Sequence, residues 1–497
     1  MRKKDKERLL LYKLAFLIGV AYLLCSSGFP WIEADCQLTI AKNLWQNGCL
    51  GLKAPLYEYY VAREGLWYDP HGITNVFWML PVAIVSSIID KIMGIQSSAL
   101  TSFLGALSGI PVSVLACVLF FLLLRHLAIS PKISFYTTLC FAFLTIFFVY
   151  GTKNYEGNLN TLFLLSSIYF LFLFQEKNRF IFLVLAASFI GLALNTRIEL
   201  SIIFLFGIIC IALYYSVNKK SPLIAIVFFL SLLPFIFLWG WYNHLRTGSF
   251  FLTPFGWMLK INFCPNSPEQ DLWLGIRSLF LSRGGSIFLF SPILLITIFG
   301  WKDFFEKKGN QCLIVFFLIL IFVIPIAKLK EWFGLSCWGP RYTLDITPLM
   351  MVPLAFWLSK NPLKNKLKKI IFIVVVVWSF IIQLSGNLTN WHNRLGYLLS
   401  KGRESFFYTI TGSQWWDSAR VLITNIWNLF FGYRPYLNIT GYDLKMSSAS
   451  FYTSVTLHTW WNRLIYLGVP IFWISIYLWL SFVTVAYLLI SIRNDLG

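Results

Sequence analysis

Acidic side chains are scarce in this chain: 21 Asp and Glu among 497 residues, against 41 Lys and Arg. Charge of either sign makes up only 12% of the sequence, whereas 58% is hydrophobic and the mean hydropathy is +0.70. That balance excludes a soluble domain and a disordered chain, because apolar runs of spanning length recur from end to end. The nine cysteines are scattered, with no CxxC and no Cys/His cluster, so neither a metal site nor a disulfide framework is indicated. Cys36 and Cys49 sit close enough to bridge within one loop, but two free thiols are expected. Low-complexity segments and internal repeats are missing as well. So is a cleavage site: Met1 to Arg8 is basic, and the first apolar stretch runs straight on, which reads as an uncleaved first span.

What is present is the pattern of an all-α polytopic membrane protein. Thirteen apolar segments can be marked, at 10–28, 75–93, 99–124, 133–150, 159–174, 180–194, 198–215, 223–242, 286–300, 312–327, 344–358, 370–384 and 466–490. The net charge of +20 is a topology signal rather than a nucleic-acid signal. Its lysines and arginines cluster in short loops: Lys177 and Arg179, Lys219 and Lys220, Lys302 with Lys307 and Lys308, and Lys360 to Lys369. The positive-inside rule puts these loops in the cytoplasm. Stretches 30–74, 243–285 and 386–463 are long and mixed enough to lie outside the bilayer. Parity then requires that one of the segments 75–93, 99–124 and 133–150 does not cross. The weakest is 75–93, which carries Pro81 and ends at Asp90-Lys91, and it reads as re-entrant or steeply tilted. Twelve crossings follow, with both termini inside. The expected division is a membrane module over 1–385, an extracytoplasmic region over 386–465, and a final span with a short tail over 466–497. Trp391, Trp415, Trp416, Tyr433, Tyr436, Trp460 and Trp461 mark the middle region as an aromatic cap against the interface.

Against this background the placement of the few carboxylates matters. Glu33 and Asp35 follow the first apolar segment, and Glu156 stands between two later ones, in Lys153-Asn154-Tyr155-Glu156-Gly157-Asn158. Carboxylates at the mouth of an apolar bundle are costly to desolvate and invite a functional explanation. Asp35 to Gly48 reads as a short amphipathic helix along the bilayer plane, with Leu38, Ala41 and Trp45 at helical spacing, Asp35 as N-cap and Gly48 as stop.

Four stretches in order resemble the C-type glycosyltransferase superfamily, in particular its polyprenyl-phosphate-sugar-dependent protein O-mannosyltransferases and lipid A aminoarabinose transferases. They are Trp31-Ile32-Glu33-Ala34-Asp35 with the helix to Gly48, and Gly65-Leu66-Trp67-Tyr68-Asp69-Pro70-His71-Gly72. Then come Ser282-Arg283-Gly284-Gly285 leading to Ser291-Pro292, and Trp338-Gly339-Pro340-Arg341-Tyr342 leading to Pro348. The resemblance implies a helical bundle of that family's type, with a juxtamembrane helix in the first outer loop. It also implies transfer of a sugar from a polyprenyl-phosphate carrier to an acceptor hydroxyl on a lipid-linked glycan, a lipid or a protein. An aspartate of the first outer loop is the family's base. Asp35 occupies that place, but the usual Asp-Glu pair is here Glu33-Ala34-Asp35, so the base is Asp35 or Glu33.

Such a reaction needs a carboxylate to take the hydroxyl proton and fixed positive charge to meet the leaving phosphate. Asp35, Glu33 and Glu156 are the candidate carboxylates. Arg341 is the first candidate for the donor phosphate, followed by Arg197, Lys53, Arg283 and His71, with Arg63 a further cation at the same level. Blander roles compete for each. Asp35 can be only a cap, Glu156 a partner of Lys153, Arg197 a partner of Glu199, Arg341 a snorkelling interface residue, and His71 a loop histidine. The three carboxylates have the chemistry to bind a divalent cation, but the mannosyl and aminoarabinosyl relatives are metal-independent, so no metal or cofactor is expected. The competing function is a flippase, transporter or polymerase of lipid-linked sugars. Transporters place ionisable residues near mid-span in paired halves, and no halves are seen.

Overall fold

Long apolar segments can satisfy their backbone in lipid only as helices or closed barrels. The computed structural model is helical almost throughout. It describes residues 3–28, 32–56, 60–94, 98–254, 271–329, 332, 337–391, 413–432 and 455–496. The chain begins with α1 (Lys3–Cys25) and α2 (Ile32–Asn47), then an antiparallel hairpin of β1 (Val61–Arg63) and β2 (Leu66–Tyr68). Next come α3 (Ile73–Met93), α4 (Ser98–Leu107), α5 (Gly109–His126), α6 (Pro131–Leu144) and α7 (Phe147–Gly151). The centre is α8 (Glu156–Lys177), α9 (Phe180–Leu194), α10 (Ile198–Asn218) and α11 (Pro222–Thr247). Beyond it lie α12 (Leu272–Leu281), the short α13 (Ile287–Phe290) and α14 (Ile293–Thr297), and α15 (Trp301–Ala327). A 3-10 helix (Arg341–Ile346) leads into α16 (Thr347–Ser359), followed by α17 (Lys366–Leu388), α18 (Gln414–Phe431), α19 (Trp460–Tyr466) and α20 (Ile471–Leu496).

Among the described residues, nine helices are long and apolar enough to cross a membrane, and the chain is a polytopic helical membrane protein. The expected thirteen segments are all helical, but several are too short or too broken to count. The 286–300 segment is split into pieces, and α9 has 15 residues. The segment 75–93, expected to be re-entrant or steeply tilted, is one continuous helix. α3 runs unbroken through Pro81 for 21 residues, long and apolar enough to span. A helix break falls within 133–150. There Thr145 is extended (φ −120°, ψ 168°) and the freed Ile146 N–H donates to Ser291 Oγ at 3.0 Å. A proline can sit in a helix when neighbours cover the lost bond, whereas an extended residue ends one.

α2 also starts earlier than its sequence suggests, at Ile32, so Asp35 lies inside its first turn and does not cap it. Gly48 does stop it: its φ of +66° suits glycine, and its N–H closes on Leu44 O at 3.0 Å. Ala34, Leu38 and Ala41 form the buried face, packed in one cluster with Val76, Met79 and Ala83 of α3, while Trp45 is exposed. Full burial of a side chain such as Leu38 contributes about 1.5–3 kcal/mol, so α2 is fastened to α3 rather than loosely laid on the bundle.

Two close approaches decide where the site forms. A Cβ on Gly72 would stand 2.0 Å from Asn195 O, and Thr74 N–H donates to that same carbonyl at 3.0 Å, so the start of α3 rests on the loop before α10. At the α4–α5 junction, a Cβ on Gly109 would stand 2.4 Å from Lys153 O, and Asn154 Nδ2 donates to Gly105 O at 3.0 Å. That docks the loop leading into α8. The expected aromatic cap is partly turned inward. Trp460 and Trp461 donate to Leu23 O and Leu24 O, both at 2.9 Å, closing the end of α1. Trp391 and Trp415 are buried, Trp416 is exposed, and Tyr433 and Tyr436 lie outside the described residues.

Candidate active site

The candidate residues come together at the starts of helices. Glu33 is in the first turn of α2, His71 and Gly72 precede α3, Glu156 opens α8, Arg197 precedes α10, and Arg341 opens the 3-10 helix. Helix starts carry partial positive charge and unpaired N–H groups, so this gathering favours an anion. The opposite ends of α8 and α10 carry Lys177 and Lys219, and Lys219 Nζ reaches Asn178 Oδ1 at 2.7 Å, so the basic loops lie away from the site.

Within the cluster, Arg341 Nη1 lies 3.6 Å from Glu33 Oε1, and Arg197 Nε lies 3.4 Å from Glu156 Oε1. Both arginines face the ring of Tyr342, each guanidinium 5.4 Å from its centroid, and Arg197 also faces Tyr155 at 5.6 Å. One ring thus holds two like charges in place. Arg341 Nε, Arg197 Nη1 and Glu33 Oε2 are buried with no hydrogen-bond partner among the described residues. Unmade hydrogen bonds at buried charged groups are expensive, and phosphate oxygens would satisfy the two donors.

His71 is fixed from behind. Its Nδ1 lies 2.7 Å from Asp69 Oδ1, and Arg246 Nη1 grips the backbone carbonyls of Asp69, Pro70 and His71 at 2.9, 2.7 and 2.8 Å. Burial disfavours charge on His71, but Glu156, Asp69 and Glu33 outweigh it and lift its pKa to about 10. It is therefore a cation at neutral pH. Burial raises the Glu33 pKa, against the opposing pull of Arg341 and His71, which suits a group that must accept a proton.

Other candidates stand apart. Asp35 faces α4, where Ser102 Oγ donates to its Oδ1 at 3.3 Å; burial raises its pKa and Ser102 draws it partly back. Lys53 and Arg283 are exposed, with no ion pair among the described residues. Arg63 pairs with Glu64 at 3.1 Å and donates to the His244 carbonyl at the end of α11. Lys153 lies over Trp391 at 5.1 Å, and burial lowers its pKa to about 8. Glu156 meets Arg197, and the side chain of Glu199 lies outside the described residues. Among the described residues no group of three His, Cys, Asp or Glu is placed to hold a metal, and no disulfide joins Cys36 to Cys49.

Sequence reasoning did not single out Asp69, Arg246, Tyr155 or Asp345. Asp69 lay inside a quoted motif, and Asp345 carried its own signal as a carboxylate within an apolar run. Tyr155 likewise lay inside the quoted stretch around Glu156, and Arg246 offered no comparable mark.

Residues 87–241 match the family model for dolichyl-phosphate-mannose-protein mannosyltransferase, a span that includes Glu156 and Arg197. The chain resembles the C-type glycosyltransferases. Among solved structures, ArnT from Cupriavidus metallidurans bound to undecaprenyl phosphate is similar at 12% identity and a TM-score of 0.46, over 84% of this chain and 79% of that one. The apo oligosaccharyltransferase of Archaeoglobus fulgidus is similar at 13% identity and a TM-score of 0.42, over 89% of this chain and 61% of that one. The oligosaccharyltransferase AglB of the same organism, in complex with an inhibitory peptide and a dolichol-phosphate, gives 13% and 0.42, over 92% and 64%. No curated protein matches the chain.

Proposed function

We propose that this protein is a glycosyltransferase of the cytoplasmic membrane. It moves a sugar from a polyprenyl-phosphate carrier to an acceptor hydroxyl of a glycan, lipid or protein at the extracytoplasmic face. The observation that carries this reading is the convergence of helix starts, Arg341, Arg197 and His71 around two carboxylates, Glu156 buried and Glu33 half-buried, with arginine N–H groups left unsatisfied. The family match to a polyprenyl-type mannosyltransferase supports the donor class.

In this reading the donor phosphate lies against Arg341 and Arg197, whose planar forks suit phosphate oxygens, with His71 as a third cation. The acceptor oxygen attacks the anomeric carbon of the sugar, and the bond from that carbon to the phosphate oxygen breaks. The electron pair leaves on the polyprenyl phosphate, where the cations meet the growing charge. The acceptor proton passes to a carboxylate, and Glu33 is favoured over Asp35 because Glu33 faces the phosphate cations whereas Asp35 faces Ser102. A transporter reading is less well served, because the ionisable groups gather at helix starts rather than at mid-span.

The test incubates the purified chain with a panel of polyprenyl-phosphate sugars and follows release of polyprenyl phosphate. Release that depends on Glu33 and Arg341 is expected. Neither hydrolysis nor transfer with any donor, together with no binding of undecaprenyl phosphate, would overturn the reading.

A further inference from the structure

About one turn beyond the site's charges, the same elements carry a second set of polar side chains. Asn160 and Thr161 follow Glu156 on α8, Ser201 follows Arg197 on α10, and Asp345 follows Arg341 on the 3-10 helix. All are buried, Asp345 to 2% exposure and the other three completely. Ser201 Oγ donates to Asn160 Oδ1 at 2.7 Å, and Asn160 Nδ2 donates to Asp345 Oδ2 at 2.9 Å. Thr161 Oγ1 donates to Asp345 Oδ1, also at 2.9 Å. One chain of hydrogen bonds therefore ties α8, α10 and the 3-10 helix together, and it leaves none of its own side-chain polar atoms unsatisfied. The layer above it does contain unsatisfied atoms, Arg341 Nε and Arg197 Nη1 among them.

The contrast has a physical meaning. A buried carboxylate is a poor choice for stability alone, because apolar side chains of similar volume would fill the same space at lower desolvation cost. A fully satisfied polar network instead fixes one arrangement of the elements that it joins. Here those elements each present a charged site residue one turn away, and Asp345 also attracts Arg197 directly.

We infer that Asp345, Asn160, Thr161 and Ser201 form a positioning layer that holds Arg197, Glu156 and Arg341 in register, so that the two arginines meet a single phosphate ligand together. The ligand side of this inference rests on the proposed function; the clamp itself does not. Asp345 acts through Arg197 and Arg341 and is a positioning residue, not a catalytic one.

The test uses the purified full chain, with undecaprenyl phosphate as the probe. Asp345→Asn should weaken its binding at least about tenfold and Ser201→Ala about threefold, with wild-type helix content. In an Arg197→Ala background the Asp345→Asn loss should shrink to about threefold or less, since one of the two groups being positioned is gone. A purely structural role predicts the same loss in both backgrounds, and that result would overturn the inference, as would wild-type binding by both Asp345→Asn and Ser201→Ala. If Asp345→Asn does not fold, Thr161→Val takes its place in the same cycle. Amide exchange supplies the separate arm. The first turns of α8 and α10 should exchange faster in Asp345→Asn while α20 is unchanged, and equal protection of those turns would sink the clamp. Should wild-type protein bind no undecaprenyl phosphate while the exchange result holds, the proposed function fails and the clamp stands.

Discussion

Replacing Glu33 by glutamine preserves side-chain volume and removes the charge that faces Arg341 across 3.6 Å. At an effective dielectric near 20, two unit charges at that separation attract by roughly 4–5 kcal/mol. Much of this offsets the desolvation of side chains that are only 17% and 13% exposed. The net loss of stability on Glu33→Gln should therefore be about 1–2 kcal/mol. The effect on transfer should be larger. Loss of the proton acceptor removes about two to four orders of magnitude in rate, which is roughly 3–5 kcal/mol of barrier. Asp35→Asn is the matched control, because the Asp35 carboxylate faces Ser102 outside the charge cluster. Its turnover should stay within about threefold of wild type, a barrier change below about 1 kcal/mol. Single-turnover release of polyprenyl phosphate, with thermal unfolding in the same detergent, separates the two effects. If Glu33→Gln transfers at the wild-type rate while Asp35→Asn loses orders of magnitude, the base is Asp35, and the inference from neighbouring charges is refuted.

Arg341→Ala should weaken donor binding and turnover, and Arg341→Lys should restore only part of each, because a single ammonium cannot reproduce the two-pronged contact; wild-type donor affinity in Arg341→Ala would exclude the role. His71 has a folded pKa of about 10, above the unfolded value near 6.5. Its charged form stabilises fully below about pH 6.5, and that contribution is lost as pH rises toward 10. The melting-temperature gap between wild type and His71→Gln should accordingly narrow from pH 6 to pH 10, and a gap constant over that range would show that His71 does not titrate as described. In intact cells, cysteines placed near Glu33, Glu156, Arg197 and Arg341 should all react with an impermeant reagent from outside. Labelling of the Glu156 neighbourhood from the cytoplasm alone would break the grouping.

The sequence alone settled the class of protein, because a bilayer leaves an apolar chain so few options that composition and run length are sufficient evidence. It also marked most of the candidate charge cluster, since Glu33, Glu156, Arg197, His71 and Arg341 are ionisable groups at the edges of apolar runs. What it could not do was choose among equals. Glu33 and Asp35 stand two residues apart on one helix, and only the docking of α2 on α3 and α4 decides that Glu33 meets Arg341 while Asp35 meets Ser102. Nor could it place the break in 133–150, which depends on Ser291, a residue far along the chain, accepting the Ile146 N–H. The roles of Arg246 and Asp345 depend in the same way on partners that are backbone carbonyls and side chains on other elements, whereas Asp69 meets its near neighbour His71. Hydropathy is a property of neighbours in sequence, whereas the pairing of charges depends on which helix starts the packing brings together.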